Sequence, residues 1–69
     1  MKLSARNRFA GTVTDVKTGA VMAQVTIDIG GGNRIMSAIF ADSVQDLALK
    51  KGDKVWAVIK STDVIVIKD

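Results

Sequence analysis

Apolar and polar positions alternate most clearly between Val21 and Ile29. Val21, Ala23, Val25, Ile27 and Ile29 share one face, while Gln24, Thr26 and Asp28 share the other. A period of two marks a strand with one buried face. Before it, a first strand is expected from about residue 8 to residue 16, with Lys17-Thr18-Gly19 as the turn that folds it back into a hairpin. Gly30-Gly31-Gly32-Asn33 reads as a loop, because glycine accepts positive φ and asparagine visits the same region. A third strand is expected over 34–40. The period then changes. Val44, Leu47 and Ala48 fall at i, i+3 and i+4, which predicts one or two helical turns over 42–49 with Asp42 or Ser43 as N-cap. Lys51-Gly52-Asp53 ends that element. A fourth strand follows over 54–61, Thr62-Asp63 makes a tight turn, and Val64-Ile65-Val66-Ile67 forms a short fifth strand.

This order predicts an all-β fold, a small five-stranded OB-type Greek-key barrel with one short helix between strands 3 and 4. The later strands carry a second message. Ile35 and Ile39 oppose Met36, Ala38 and Phe40; Val55, Ala57 and Ile59 oppose Trp56 and Val58; residues 64–67 are apolar on both sides. Strands buried on both faces lose their alternation, yet the outer face of a lone small barrel meets water. Single exposed apolar residues are ordinary, but size favours a further explanation. At 69 residues the chain is one domain, 1–69, and buries only about 60% of the surface of its unfolded form. Small domains compensate with disulfides, metals or oligomerisation. Cysteine and histidine are both absent. Homo-oligomerisation through the outer faces is therefore expected.

The same inventory excludes much chemistry. Without Cys there is no disulfide framework or thiolate metal site, and without His the usual zinc and iron ligands are missing. No His, Cys, Tyr or Glu is available for a triad, a thiolate or a tyrosyl mechanism, so the chain is not expected to be an enzyme. Asp42 and Asp46 lie one helical turn apart, but acidic charge near a helix start is the simpler reading. The seven Asp are too dispersed for a hard-cation site. Gly30-Gly31-Gly32 lacks the Gly-Lys-Ser/Thr ending and following helix of a phosphate loop.

Ten Lys and Arg against seven acids give a formal charge of +3, a modest pull towards an anionic partner. The cations are scattered, with no polybasic run. Lys2 is followed by Leu3-Ser4-Ala5-Arg6-Asn7 instead of an apolar core, so no signal peptide is expected. No apolar stretch approaches the roughly 20 residues of a membrane span. A cytoplasmic protein with no membrane partner is expected. Single-strand nucleic-acid binders stack bases on several exposed aromatics. Only Phe9, Phe40 and Trp56 are present, with Trp56 read as packing, so nucleic acid is the weaker option.

Two short segments suit an oxyanion: Ser4-Ala5-Arg6-Asn7 and Lys60-Ser61-Thr62. A tetrahedral dianion needs many donors and no acceptors. Arg supplies a fork of N–H groups, Lys a point charge and Ser a hydroxyl, and small residues let backbone N–H groups approach. Taken singly, the first segment could be a solvated terminus and the second an ordinary turn.

Together with Gly11-Thr12-Val13, Gly19-Ala20-Val21, Gly31-Gly32-Asn33, Ser43-Val44-Gln45-Asp46-Leu47 and Ile59-Lys60-Ser61-Thr62-Asp63-Val64, these segments resemble the molbindins. Those are small molybdate-binding proteins built from a single Mop domain of the TOBE/OB-like family, and the resemblance spans essentially the whole chain. It implies an OB-type fold, a hexamer arranged as a trimer of dimers, and molybdate or tungstate held between subunits, with no organic cofactor. By motif, Ser4, the backbone N–H of Ala5, and Arg6 would hold the anion, with Lys60 and Ser61 from the second segment. Ser43 would add a donor from a neighbouring chain. Thr18, Gly19, Ala20 and Val21 are the candidate for a second oxyanion site near a threefold axis. Phe40 departs from the family pattern, where Ser or Thr is frequent, and simple interface packing is the favoured reading. The function implied is cytoplasmic storage and homeostasis of molybdate. The alternatives are a single-stranded nucleic-acid-binding barrel and a carrier for an anionic molybdenum cofactor.

Overall fold

Four strands and one short helix follow one another: β1 (Asn7–Thr18), β2 (Met22–Gly30), β3 (Asn33–Phe40), α1 (Ala41–Asp46) and β4 (Lys54–Ile59), with a single 3-10 turn at Ser61–Asp63. The computed structural model describes residues 4–69; Lys2 and Leu3, which open the leader reading above, lie outside them. The strands make one curled antiparallel sheet in the order β3-β2-β1-β4.

β1 serves two partners. Its residues from Asn7 to Thr12 pair with β4, and those from Thr12 to Thr18 pair with β2. Within the β2 ladder, a bulge at Thr14 interrupts the register, and the Thr14 hydroxyl donates to the Thr26 carbonyl at 3.4 Å. A bulge bends its strand and increases the local twist. It also resets the alternation, so Val13 and then Val16 face inward. Gly11 lies where β1 runs against β2. A Cβ there would stand 2.5 Å from Ile27 Cγ2 and 2.7 Å from the Asp28 carbonyl oxygen.

The β2–β3 connection is tighter than the loop expected over 30–33. Gly30 pairs with Asn33, leaving Gly31 and Gly32 as a two-residue turn with φ of 63° and 81°. Positive φ at both central positions is the type I′ geometry that matches strand twist.

The core is small: Val13, Ala23, Val25, Ile27, Val44 and Ala57 are buried, with no buried polar residue among those described. Val16, Ile29, Ile35, Ile39, Leu49 and Val55 pack against it. The β2 alternation is therefore as expected from Ala23 onward, whereas Val21 is 65% exposed because it belongs to the preceding turn.

α1 begins one residue earlier than expected, and neither Asp42 nor Ser43 caps it. Phe40 holds the N-cap position with no side-chain bond, and the Ala41 N–H donates instead to the Val21 carbonyl at 2.7 Å. The sheet itself supplies the acceptor. At the other end, the Leu49 N–H donates to Val44 and the Ala48 N–H to Gln45, both at 3.0 Å, with Ala48 at φ 50°. This is the Schellman arrangement, with alanine where glycine is usual. The reversal turns Leu49 onto the core beside Val44 and leaves Leu47 exposed, against the helical spacing read above. Next, the Gly52 N–H donates to the Val13 carbonyl at 2.8 Å and the Val13 N–H to the Asp53 carbonyl at 2.9 Å. The Asp53 carboxylate accepts from the Lys50 ammonium at 3.1 Å and the Lys50 N–H at 3.0 Å, which holds its pKa below the ordinary value.

The fifth strand is not formed within the chain, so the sheet has four strands where five were expected. Val64, Ile65, Val66 and Ile67 join no ladder, and the last three are nearly fully exposed. β1 is paired by halves, to β4 along its first part and to β2 along its second, and residues 64–67 take up neither the rest of its edges nor the outer edges of β3 and β4. Apolar alternation reports what a segment would bury, not whether an edge of its own chain can receive it.

Two substitutions test this account. Gly11→Ala is expected to cost about 1–3 kcal/mol through overpacking, seen in thermal denaturation as a fall of roughly 4–8 °C per kcal/mol. Ala48→Gly is expected to stabilise by about 1 kcal/mol, because it removes the steric cost of a left-handed L-residue; an unchanged or lower midpoint would contradict the strain assigned to Ala48.

Candidate oxyanion-binding site

The two candidate anion segments are far apart in sequence and meet at one end of the β1–β4 ladder. The last register pair is Asn7 with Ile59, and the Asn7 side-chain amide donates to the Ile59 carbonyl at 3.3 Å. Arg6 and Lys60 are the next residues beyond that pair, and Ser61 opens the 3-10 turn that follows. Asn7 was quoted in the motif above but given no role. Its amide ties the end of one segment to the residue before the other.

Ser4, Arg6, Lys60 and Ser61 are exposed, and Ala5 is half-buried. Lys60 precedes the 3-10 turn, where its carbonyl accepts the Asp63 N–H at 2.9 Å and the Ser61 carbonyl accepts the Val64 N–H at 3.3 Å. The turn therefore uses the backbone acceptors of this segment and leaves its cation and hydroxyl to solvent. Among the described residues the one ion pair is Lys50–Asp53, so no carboxylate neutralises Arg6 or Lys60. Two cations and two hydroxyls without a paired carboxylate make a donor-rich environment, suited to an anion and unsuited to a metal cation. Among the described residues no cluster of carboxylates could hold a metal ion.

Ser43 is elsewhere. It lies in α1, whose first N–H is bonded to Val21 after the Thr18–Val21 turn. That turn is closed by the Gly19 N–H donating to the Met22 carbonyl at 2.8 Å. Thr18 ends β1 and Asn7 begins it, so the whole strand separates Ser43 and the Thr18-Gly19-Ala20-Val21 candidate from the Arg6–Lys60 end. Within one chain, Ser43 neighbours the second candidate and not the first.

Trp56 also differs from expectation. It was read as packing, yet it is 56% exposed, with the Arg8 guanidinium 5.9 Å from the ring centroid. Phe40 is likewise exposed at 62%.

Residues 3–66 match the TOBE domain. Molybdenum-pterin-binding protein 1 of Clostridium pasteurianum is 48% identical over 67 residues, covering 97% of this chain and 98% of that protein. The structure of a molybdate-binding protein from Sporomusa ovata superposes with a TM-score of 0.92 at 44% identity, covering 99% of this chain and all of the other. The cytoplasmic molybdate-binding protein ModG, with molybdate bound, gives 0.85 at 46% identity over 88% of this chain and 43% of its own. The curled four-stranded sheet, the single short helix and these similarities agree, and the chain belongs to the TOBE domain family and, within it, to the molybdate- and molybdenum-pterin-binding proteins.

Proposed function

We propose that the chain reversibly binds molybdate, with tungstate as a competitor of the same shape and charge, at sites completed between copies in a homo-oligomer. The observation that supports the reading is the β1–β4 register, whose last pair, Asn7 with Ile59, lies next in sequence to Arg6 and to Lys60; Ser4, the Ala5 N–H and Ser61 complete the site. A dianion offsets the repulsion of two converging cations, and charge-assisted hydrogen bonds from Arg and Lys are the strong kind. Selection over sulfate comes from cavity size, molybdate being the larger tetrahedron. Function is storage and homeostasis of the oxyanion in the cytoplasm by a single Mop domain over 1–69, without catalysis or an organic cofactor. The similarity to proteins named for molybdate supports the ligand.

Two features support assembly between chains. Ser43 lies at the far end of β1 from Arg6, so it reaches an Arg6–Lys60 site only from a neighbour. Residues 64–67 offer four apolar residues with no place in their own sheet, while the β3 and β4 edges remain open. Residues 64–67 of one copy add as the fifth strand to another, completing an OB-type barrel, in a hexamer built as a trimer of dimers. The Thr18–Val21 turn and its neighbour Ser43 form the second class of oxyanion site. Binding that needs several chains stabilises the assembly by linkage.

A second reading is carriage of an anionic molybdenum cofactor, supported by the similarity to a protein named for molybdenum-pterin binding. Single-stranded nucleic acid is the third, supported by the exposed Trp56.

Isothermal titration with molybdate is expected to give saturable heat that excess sulfate does not abolish; no heat, or equal affinity for sulfate, overturns the proposal. Lys60→Ala is expected to weaken molybdate by about 10- to 100-fold, the loss of a charged hydrogen bond worth roughly 1.5–3 kcal/mol, and near-native affinity would remove Lys60 from the site. Deleting residues 64–69 is expected to dissociate the oligomer in sedimentation equilibrium. An unchanged mass would show that the apolar tail is not the link between chains.

A further inference from the structure

The outward face of the β2–β3 pair carries oxidisable sulfur. The sequence has three methionines and no cysteine, so thioethers are its only sulfur groups. Asp15, Thr26 and Met36 form one outward row across β1, β2 and β3, and Lys17, Gln24 and Ala38 form the next. Ala38 is small, and it borders an open hollow of about 400 Å3 that Lys17, Met22, Gln24 and Met36 also line. Met36 itself is 57% exposed. A small solute therefore reaches its side chain without any opening of the sheet.

The Met36 sulfur is set among donors. The Thr26 hydroxyl donates to it at 3.3 Å and the Gln24 side-chain amide at 4.0 Å. A thioether is a weak acceptor, so neither donor is well used. A sulfoxide oxygen is a far stronger acceptor, and it stands one bond further out from the same sulfur. Met22 is the natural comparison. It lies on the same outward face, paired with Phe40, and is 46% exposed. Among the described residues no hydrogen bond reaches its sulfur, whereas Met36 receives two.

We propose that Met36 is a site of oxidation by hydrogen peroxide, directed there and held as the sulfoxide by Thr26 and Gln24. A sulfur lone pair attacks one peroxide oxygen, and the S–O bond forms as the O–O bond breaks. The departing hydroxide takes the proton of the transferred oxygen and leaves as water. Sulfur is oxidised by two electrons and the peroxide is reduced by two. Negative charge builds on the oxygen as it transfers, and the hydroxyl and amide shift from the sulfur to that oxygen. The same two donors therefore favour both the reaction and its product. The modification makes one apolar position of the outward face polar. It spares the core, because Met36 points away from the side that Val25 and Ile27 bury. It is also independent of the oxyanion reading, since Arg6 and Lys60 flank the β1–β4 ladder and β3 lies at the opposite edge of the sheet.

The test treats the full chain, in its native assembly, with hydrogen peroxide and follows oxygen uptake by mass spectrometry. Trypsin cleavage after Lys17, Arg34 and Lys50 puts Met22 and Met36 on separate peptides. Met36 is expected to gain oxygen about three to ten times faster than Met22, the effect of one neutral hydrogen bond. Their exposures alone predict nearly equal rates. Thr26→Val is expected to bring the two rates together, and Thr26→Ser, which keeps the hydroxyl, to preserve the difference. At the stage where Met36 alone is modified, the thermal midpoint is expected to stay within about 4 °C of the untreated chain. Equal rates in the unmutated chain, a Met36 shielded from peroxide in the assembly, or an unchanged preference in a folded Thr26→Val variant overturns the proposal. A larger fall in midpoint overturns the assignment of Thr26 and Gln24 as partners of the sulfoxide.

Discussion

β1 must satisfy two partners with one backbone, and the rest of the molecule depends on how it does so. Its first half is committed to β4 and its second half to β2, with Thr12 in both ladders. A flat strand could not carry both and still enclose a core of six buried residues. The bulge at Thr14 supplies the bend, and Gly11 supplies the close approach where any Cβ would meet Ile27 and the Asp28 backbone. The bulge also resets which side chains face inward, so Val13 and Val16 both reach the core although they are three residues apart. The Gly52 and Asp53 backbone then bonds to Val13, fixing the entry to β4 against the same point of β1.

That geometry has a functional consequence at each end of the strand. At Asn7 it ties the beginning of the described chain to the end of β4, with Arg6 and Lys60 the next residue on either strand. At Thr18 it delivers a tight turn beside the helix that carries Ser43. Between them, the outward row of Lys54, Thr12 and Asp28 gives a surface of mixed charge beside an exposed indole.

The exposed apolar surface follows from the same economy. Six buried residues are few for a folded domain, while Met22, Met36, Phe40, Trp56 and residues 64–67 remain in contact with solvent. Large apolar side chains left exposed in this number suit burial against another molecule. The open edges of β3 and β4 give such surface a direction, because an unpaired edge templates another strand.

Much of this was legible in the residues themselves. Alternation located β2, the glycines located the turn after it, and the opposition of Val55, Ala57 and Ile59 to Trp56 and Val58 gave the two faces of β4. The cationic, donor-rich character of Ser4-Ala5-Arg6 and Lys60-Ser61 was legible too, since it depends on side-chain chemistry alone. Other features depended on pairing between distant residues. The helix lost its expected cap because Ala41 found an acceptor on Val21, and Leu47 turned outward because the backbone reversed at Ala48. The fifth strand was missing because residues 64–67 pair with no strand of their own chain. The exposed state of Trp56 came from Ala10 lying across the ladder. Local chemistry and periodicity are properties of neighbouring residues, and the sequence by itself determined them; which edge is free, which carbonyl is near and which small residue lies opposite a large one are properties of register, which only the tertiary structure decided.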